Sequence, residues 1–257
     1  MIRYLILGIV QGVTEFLPVS SSGHLVIAER LLQIDPPGVL FEGLLHLATL
    51  GAILLVFRRD LIAIARSLTP RGSIEGRKEI GLIAIGTAPI AVFGFLFRAR
   101  IEAAFSSLVV VGASLIATGT ILALTAVVKR RGERSGVRSI DALIIGIAQS
   151  AALLPGLSRS GATIGSGILS GIKPERAARF SFLLAVPALF GAGLLSLTSV
   201  PSGEAVDWAG LAIAAVSAFV VGVISIRTLL MIVARGRFWV FSLYCLALGA
   251  FILARFG

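Results

Sequence analysis

The sequence predicts an all-helical, polytopic membrane protein with six transmembrane helices and two re-entrant helical hairpins. Its composition is the first observation: 57% of the residues are hydrophobic, 14% are charged, and the mean hydropathy is +1.01. This is too apolar for the surface of a soluble domain. The second observation is a series of long apolar runs, and the third is a pair of polar islands, residues 11–25 and 155–163, inside apolar sequence.

Six apolar runs are long enough to span a bilayer, and each is bounded by charged residues or by Pro and Gly. We predict the spans at residues 40–57, 80–97, 108–128, 180–197, 208–226 and 238–254. The net charge of +10 does not indicate a nucleic-acid partner, because the basic residues fall between these runs without interleaved aromatic residues.

The first polar island predicts a hairpin of two short helices. A helix over residues 4–17 would reach only about 21 Å, which is less than the roughly 30 Å of a hydrocarbon core. Pro18 ends it, a serine turn at 20–23 begins a second short helix at 24–33, and Asp35, Pro36 and Pro37 return the chain to the surface. Such a break is tolerated at membrane depth where protein or water covers the backbone.

The second island repeats this layout. The segment 140–171 is broken at PGLSRSG, and at one constant offset in the numbering Gln11 matches Gln149, Ser20 matches Ser158, and Ser22 matches Ser160. The single domain, 1–257, therefore divides into repeats of about 1–128 and 139–257, each with one hairpin and three spans. An odd number of spans predicts inverted-topology repeats whose broken helices meet near the midplane.

Lys and Arg residues are far more numerous on one side of the predicted spans than on the other. By the positive-inside rule that side is cytoplasmic. Both termini and the first hairpin would then face outward, together with a loop at 199–207 that has no basic residue.

The first island has the residue types of a phosphate-processing site. Gln11 and Glu15 share one helix face, so Glu15 is a candidate general base or, with Gln11, a candidate ligand of a hard divalent cation. The hydroxyls of Ser20, Ser21 and Ser22 suit a phosphate at a helix start. A hydroxyl near Glu15 and His24 also has the parts of an activated nucleophile. Structural pairing of Glu15 with an arginine and ordinary capping by one serine are the alternatives.

Arg159 is the decisive residue of the second island, because an arginine in the middle of an apolar hairpin needs an anionic partner. Its planar fork suits phosphate oxygens, and the hydroxyls of Ser158, Ser160 and Thr163 would complete an anion cradle. An internal salt bridge to Glu15 is the competing explanation. Glu42 and His46, at the start of the first span, either line the same cavity or form an interfacial pair.

The two islands together resemble the bacterial undecaprenyl-diphosphate phosphatase family of the bacitracin-resistance type. Its first motif, Glu or Gln, three residues, then Glu, is met by Gln11 and Glu15. The second motif, Pro-Gly-x-Ser-Arg-Ser-x-x-Thr, is met in full at 155–163. Gln11 stands where many members have Glu, so a cation there would have one anionic ligand fewer.

The resemblance implies removal of the terminal phosphate of a polyprenyl diphosphate at the outer face of the plasma membrane. It implies that Arg159, Ser158, Ser160 and Thr163 clamp the diphosphate, that Ser21 attacks with help from His24 or Glu15, and that Mg²⁺ or Ca²⁺ binds near Gln11 and Glu15. Attack by His24 or by a water molecule uses the same residues and stays open. The expected partners are the lipid substrate, membrane lipids and a second copy of the chain in a homodimer.

Three other classes compete with this reading. A transporter or flippase for an anionic lipid shares inverted repeats and broken helices, but a carrier needs no nucleophile. The other class of membrane phosphatase requires a histidine after its Ser-Arg motif. Since His24 and His46 are the only histidines, that pattern fails. A purely structural membrane protein would not need Arg159 at such a depth.

Overall fold

The computed structural model describes residues 1–32, 38–127, 134–197 and 207–257. In these ranges the chain forms twelve α-helices and a short 3₁₀ helix at Phe238–Val240. The α-helices are α1 Ile2–Thr14, α2 Ser21–Leu32, α3 Gly38–Val56, α4 Arg58–Arg66, α5 Ile74–Leu96, α6 Arg98–Ala104, α7 Leu108–Val127, α8 Ser139–Ala151, α9 Arg159–Leu169, α10 Pro174–Leu197, α11 Trp208–Ala234 and α12 Phe241–Phe256.

Five of the helical segments are long and apolar enough to cross a membrane: α5, α7, α10, α11, and α12 with the 3₁₀ turn before it. Helices α3 and α4 form a sixth candidate if they count as one span bent by 78°. The predicted all-helical, multi-pass class is confirmed. The candidate spans number five to six by length and composition.

Several long helices extend beyond the predicted apolar cores at their polar ends. Helix α5 begins at Ile74, where the Ser73 side chain accepts a hydrogen bond from Gly76 N at 3.1 Å. Helix α10 begins at Pro174, and α11 continues to Ala234. Hydropathy marks only the apolar part of such helices, whereas capping residues and proline at the first position fix their ends.

The sequence did not predict α4 and α6. Both are short and carry arginine at their starts, so neither produces a long apolar run. Helix α4 has arginine at both ends and leucine and isoleucine between them, in a strongly amphipathic pattern. In α6, Arg98 and Glu102 form an exposed i, i+4 ion pair at 2.8 Å.

Both polar islands form a pair of short helices with a break between them. Helices α1 and α8 have 13 residues each, which is too short to cross a bilayer. The first arm ends at Thr14 rather than at residue 17, and the second begins at Ser21 rather than at 24. The predicted turn at Asp35, Pro36 and Pro37 lies outside the described residues. So does the predicted loop at 199–207, except for Asp207, which caps α11.

The hairpin arms pack across the repeats: α1 lies along α11, and α8 lies along α5. Glycine permits both contacts. A Cβ on Gly8 would lie 2.3 Å from the Ala214 carbonyl oxygen, and one on Gly146 would lie 2.4 Å from the Gly86 carbonyl oxygen. Gly8 and Gly146 are related by the same offset that relates the two islands. Small residues of this kind let helix backbones approach closely in membrane proteins.

Ion pairs join several helix starts at one end of the molecule. Arg176 at the start of α10 pairs with Glu79 of α5, and Arg179 pairs with Asp60 of α4. These contacts place the basic segments after α3 and before α10 at the same end, as the predicted charge asymmetry requires.

The second hairpin is anchored by a buried carboxylate at the start of α8. Asp141 accepts hydrogen bonds from Arg134 at 2.6 Å and from Arg138 at 3.1 Å, and Arg134 also donates to the Ser170 carbonyl oxygen at the end of α9. Burial alone would raise the pKa of Asp141, but the hydrogen bonds from both arginines hold it well below its ordinary value.

Candidate active site

The breaks of the two hairpins meet at a cavity of about 200 Å³. Helices α3, α5, α8 and α10 complete its walls. Seven of the predicted site residues line it: Gln11, Glu15, Ser20, Ser21, Ser22, Ser158 and Arg159. The structure therefore brings together residues from both islands, which are far apart in the chain.

Glu15 lies at the centre of the polar contacts. Its Oε2 atom accepts hydrogen bonds from Ser21 Oγ at 2.6 Å and from Gln11 Nε2 at 3.1 Å. Its Oε1 atom accepts from Arg159 Nη2 at 2.8 Å. The side chain is only 4% exposed, and a carboxylate buried to this extent needs such partners to remain charged.

Arg159 is the first residue of α9, and its guanidinium reaches across to the other hairpin. The salt bridge to Glu15, the competing explanation for this arginine, is present. The Arg159 side chain is still 22% exposed and lines the cavity. A guanidinium has five N–H donors, so a contact through Nη2 leaves others for a second anion.

The serine turn has an unusual backbone. Ser20 has φ of +72°, a left-handed conformation that residues other than Gly adopt infrequently. Its Oγ lies 3.3 Å from Ser22 Oγ and accepts from Gly23 N at 3.4 Å. Ser21 follows as the first residue of α2, and its hydroxyl points at Glu15. Strain of this kind occurs mostly at functional sites, where surrounding contacts hold it in place.

The hydroxyls of the second island divide between two roles. Ser158 caps α9 by accepting from Gly161 N at 3.1 Å, and it also faces the cavity. Ser160 lies 3.2 Å from Ser158 Oγ and borders a small adjoining space instead. Thr163 is fully buried, donates to the Arg159 carbonyl oxygen and contacts Ser181. Ser160 and Thr163 therefore support α9 from behind rather than line the cavity.

His24 does not line the cavity either. Its Nδ1 lies 2.7 Å from the Ser20 carbonyl oxygen, and its Nε2 lies 2.5 Å from the Tyr244 hydroxyl. A carbonyl oxygen can only accept, so Nδ1 carries the hydrogen and Nε2 accepts from Tyr244. In this arrangement His24 holds the serine turn. Its catalytic role stays a prediction.

Glu42 and His46, which the sequence left between two readings, line the cavity. His46 Nδ1 donates to the Glu42 carbonyl oxygen at 2.8 Å, and Nε2 lies 3.9 Å from Glu15 Oε2. The spacing of four residues indicated one shared helix face, but only the packing of α3 beside α1 places that face at Glu15.

Gln149 lines the cavity and was recognised in the sequence only as the repeat equivalent of Gln11. Both glutamines are fully buried. Within the described residues, neither Nε2 nor Oε1 of Gln149 has a hydrogen-bond partner, and Oε1 of Gln11 has none. Buried unpaired amide atoms at a cavity are typical of a site that binds a polar ligand.

The residues fit a divalent cation only in part. Oε1 of Gln11 is a free oxygen acceptor beside Glu15, and oxygen ligands are those that Mg²⁺ and Ca²⁺ prefer. Both Glu15 oxygens already accept hydrogen bonds. In the described ranges no group of three or more His, Cys, Asp or Glu side chains is placed to hold a metal ion. A cation here would depend on oxygens from the substrate.

These features define a multi-pass membrane protein with a polar, charge-paired cavity between two broken helical segments. The family model for the bacitracin resistance protein BacA matches residues 4–251, and the chain belongs to this family. Three similar relatives are each named undecaprenyl-diphosphatase. That of Desulforapulum autotrophicum is 41% identical, covering 95% of this chain and 94% of the relative. Those of Syntrophotalea carbinolica and Korarchaeum cryptofilum are 41% and 43% identical, and each match covers 97% of both proteins.

Proposed function

We propose that this protein hydrolyses undecaprenyl diphosphate, removing the terminal phosphate to give the monophosphate lipid carrier. The observation that carries the proposal is the pairing at Glu15, where Oε2 accepts from Ser21 Oγ at 2.6 Å and Oε1 accepts from Arg159 at 2.8 Å. The Glu15 carboxylate can thus act as a base toward the Ser21 hydroxyl, and the Arg159 guanidinium beside it can bind phosphate. By returning the lipid carrier to use, this activity would support cell-wall synthesis and resistance to bacitracin.

Ser21 is the nucleophile in this mechanism. Its Oγ attacks the terminal phosphorus while its proton passes to Glu15 Oε2, the phosphoanhydride bond breaks, and Glu15 gives this proton to the polyprenyl monophosphate, which leaves. Water then attacks the phosphoserine. Glu15 accepts a proton from this water, the bond between Ser21 Oγ and phosphorus breaks, Glu15 returns the proton to Ser21 Oγ, and inorganic phosphate departs. His46, whose Nε2 lies 3.9 Å from Glu15 Oε2, is placed to share the proton held there.

Arg159 supplies positive charge to the phosphate that is transferred. Phosphoryl transfer depends mainly on positioning and on stabilisation of the charge on the equatorial oxygens. The unused N–H groups of Arg159, the hydroxyls of Ser20, Ser22 and Ser158, and the unpaired amide of Gln149 all face the cavity. Ser160 and Thr163 act through α9, which positions Arg159.

A divalent cation, Mg²⁺ or Ca²⁺, would be held by Gln11 Oε1, Glu15 and oxygens of the diphosphate. When bound, it would screen the charge of the two phosphates. The partial fit of the residues predicts weak binding of the cation in the absence of substrate.

We further propose that both broken segments are re-entrant hairpins in inverted repeats, with the cavity open to the outer side of the bacterial plasma membrane. Two observations support this orientation. The basic ends of the helices are joined at the end of the molecule where Glu79 meets Arg176. The cavity residue Ile90 is eleven positions further along α5, about 16 Å away.

Phosphate release by detergent-purified protein tests the proposal. Wild type should release phosphate from undecaprenyl diphosphate, and Arg159→Ala and Glu15→Gln should each lower kcat by on the order of a thousandfold. Circular dichroism would establish that both variants remain folded, and a chelator would test the cation. A wild-type protein that releases no phosphate under any metal condition would refute the enzyme and favour a carrier of anionic lipids.

A further inference from the structure

An apolar groove of about 400 Å³ lies on the surface beside the active-site cavity. It runs between the end of α5, the short helix α6 and the end of α8. Its apolar walls are formed by Phe93, Phe97, Ile101, Ile147, Leu153 and Leu154. Phe93, Ile147 and Leu154 are 39–51% exposed, so hydrocarbon at the surface of the protein can reach them.

The groove and the cavity share a wall. Leu153 lines both, and the same three segments contribute residues to each space. On α5, Ile90 faces the cavity and Phe93, one turn further, faces the groove. Around α6, Phe105 faces the cavity and Ile101, one turn earlier, faces the groove. The groove is therefore a continuation of the cavity toward the outside of the helical bundle.

The groove borders the long helix that is most exposed. Of the five candidate spans, α5 has the smallest buried share. Because its apolar side chains face the lipid region, a ligand that enters beside α5 does not have to cross the protein core. A lipid diphosphate requires such a path, since its head group must reach Glu15 and Arg159 while its chain stays in hydrocarbon.

A second apolar groove shows that this connection is specific. It has a volume of about 530 Å³ and lies between α1 and α11, lined by Leu5, Ile9 and Val216 among others. Ile9 and Ile147 are related by the offset of the repeat, so each groove includes the same position of its hairpin arm. Within the described part of the chain, none of the residues that line the α1–α11 groove also lines the cavity.

The two hairpins differ at the position where the α5–α8 groove meets the cavity. The position equivalent to Leu153 is Glu15. In the first hairpin this position holds the carboxylate that binds Ser21 and Arg159, whereas in the second hairpin it holds an apolar side chain that faces both spaces. The exchange of Glu for Leu leaves an apolar exit on the α5–α8 side.

We propose that the α5–α8 groove binds the polyprenyl chain from its second isoprene unit onward, and that Leu153 marks the point where the chain leaves the cavity. This assignment rests on the proposed function and adds to it a subsite for the hydrocarbon part of the substrate.

The test compares Ile147→Trp, which fills the α5–α8 groove, with Ile9→Trp, which places the same side chain at the corresponding position in the α1–α11 groove. Phosphate release is measured with undecaprenyl diphosphate and with isopentenyl diphosphate, whose five-carbon chain is too short to fill the groove. Ile147→Trp should raise KM for the long substrate about tenfold, the equivalent of about two buried methylene groups. It should leave kcat and the short substrate unchanged, and Ile9→Trp should match wild type.

Photo-crosslinking provides a second readout that does not depend on turnover of the short substrate. An undecaprenyl diphosphate analogue with a diazirine on its second isoprene unit should label peptides covering 93–101 and 147–154, and unlabelled substrate should compete. Labelling of 5–9 or 212–221 instead, or equal KM values in both tryptophan variants, would overturn the groove assignment. A change of oligomeric state with KM unaltered would assign the groove to contact between copies.

The two proposals fail in different ways. If wild type releases no phosphate from either substrate, the proposed function is refuted. If it releases phosphate but neither the KM values nor the crosslinks involve the α5–α8 groove, only the chain subsite is refuted.

Discussion

The two hairpins share one framework but carry different chemistry. At the constant offset of the repeat, Gln11 and Gln149 are alike, and Ser20 and Ser22 recur as Ser158 and Ser160. Of these residues, all but Ser160 line the cavity, Ser158 also caps α9, and Ser160 borders the small adjoining space.

The remaining positions differ in charge. Glu15, Ser21 and His24 of the first hairpin correspond to Leu153, Arg159 and Ala162 of the second. The first hairpin thus holds the carboxylate and the hydroxyl that donates to it, and the second holds the guanidinium. Neither Glu15 nor Arg159 would be tolerated without its partner in this cavity, because a buried, unpaired charge costs several kcal/mol. The charge-paired cavity therefore forms only where the breaks of the two hairpins meet.

The largest expected effect is on kcat, and it distinguishes Ser21 from the other serines of the first hairpin. Ser21→Ala removes the group that donates to Glu15, so we expect kcat for phosphate release to fall by on the order of 10³–10⁴. Ser22→Ala is the matched control, because Ser22 contacts Ser20 and is not paired with Glu15. It should lose less than tenfold. Retained turnover in Ser21→Ala would assign the attack to His24 or to water.

A second variant tests how the first hairpin holds its strained turn. His24→Ala removes the hydrogen bond from Nδ1 to the Ser20 carbonyl oxygen, so Ser21 should be misplaced and kcat should fall about a hundredfold. Tyr244→Phe frees Nε2 but leaves that hydrogen bond in place, and it should lose only a few fold. If His24 transfers protons itself, His24→Ala would instead abolish one limb of the pH–rate profile.

The anchor of the second hairpin contributes to stability rather than to catalysis. Asp141→Asn weakens the charged hydrogen bonds from Arg134 and Arg138, and we expect a loss of about 2 kcal/mol in unfolding free energy at neutral pH. The folded pKa of Asp141 lies below its unfolded value. The stabilisation is therefore complete above the unfolded pKa and is lost as the pH falls toward the folded one.

Denaturation in detergent between pH 7 and pH 3 measures this effect. Wild type should lose stability on acidification more steeply than Asp141→Asn. Parallel curves of stability against pH for the two proteins would contradict the assigned role of this carboxylate. As a control, kcat at neutral pH should be the same in wild type and in folded Asp141→Asn.

The smallest expected effect concerns the paired glutamines. Gln11→Glu adds an anionic ligand beside Glu15 and should lower the Mg²⁺ or Ca²⁺ concentration for half-maximal activity a few fold. Gln149→Glu, its repeat equivalent, should not. If activity depended equally on the Mg²⁺ or Ca²⁺ concentration in both variants, the divalent cation would not bind at Gln11.

The helical architecture of the molecule could be predicted largely from local sequence. Apolar runs, helix-ending prolines and the constant offset between the two islands predicted the all-helical membrane class and both broken segments. Helices α4 and α6 were missed because they are short and rich in arginine, although the amphipathic pattern of α4 was a usable signal.

Sequence patterns identified most of the polar side chains that line the cavity and raised the Glu15–Arg159 salt bridge as one alternative, but they did not predict the contacts of the histidines. The islands supplied Glu15, Ser21 and Arg159, but the contact of His24 with Tyr244 spans 220 positions and left no sequence signal. Likewise, His46 reaches Glu15 only because α3 packs beside α1. Contacts of this kind depend on tertiary packing, which spacing along one helix cannot specify.

A double-mutant cycle on kcat tests most directly whether the two hairpins form one catalytic site. Glu15→Asp and Arg159→Lys keep the charges but alter the geometry of the pair, so each should lower kcat about a hundredfold and still permit measurement. If the two side chains act as a unit, the double variant should lose little more than either single variant. A loss equal to the product of the two, about 10⁴-fold, would show that they act independently and would contradict the shared site.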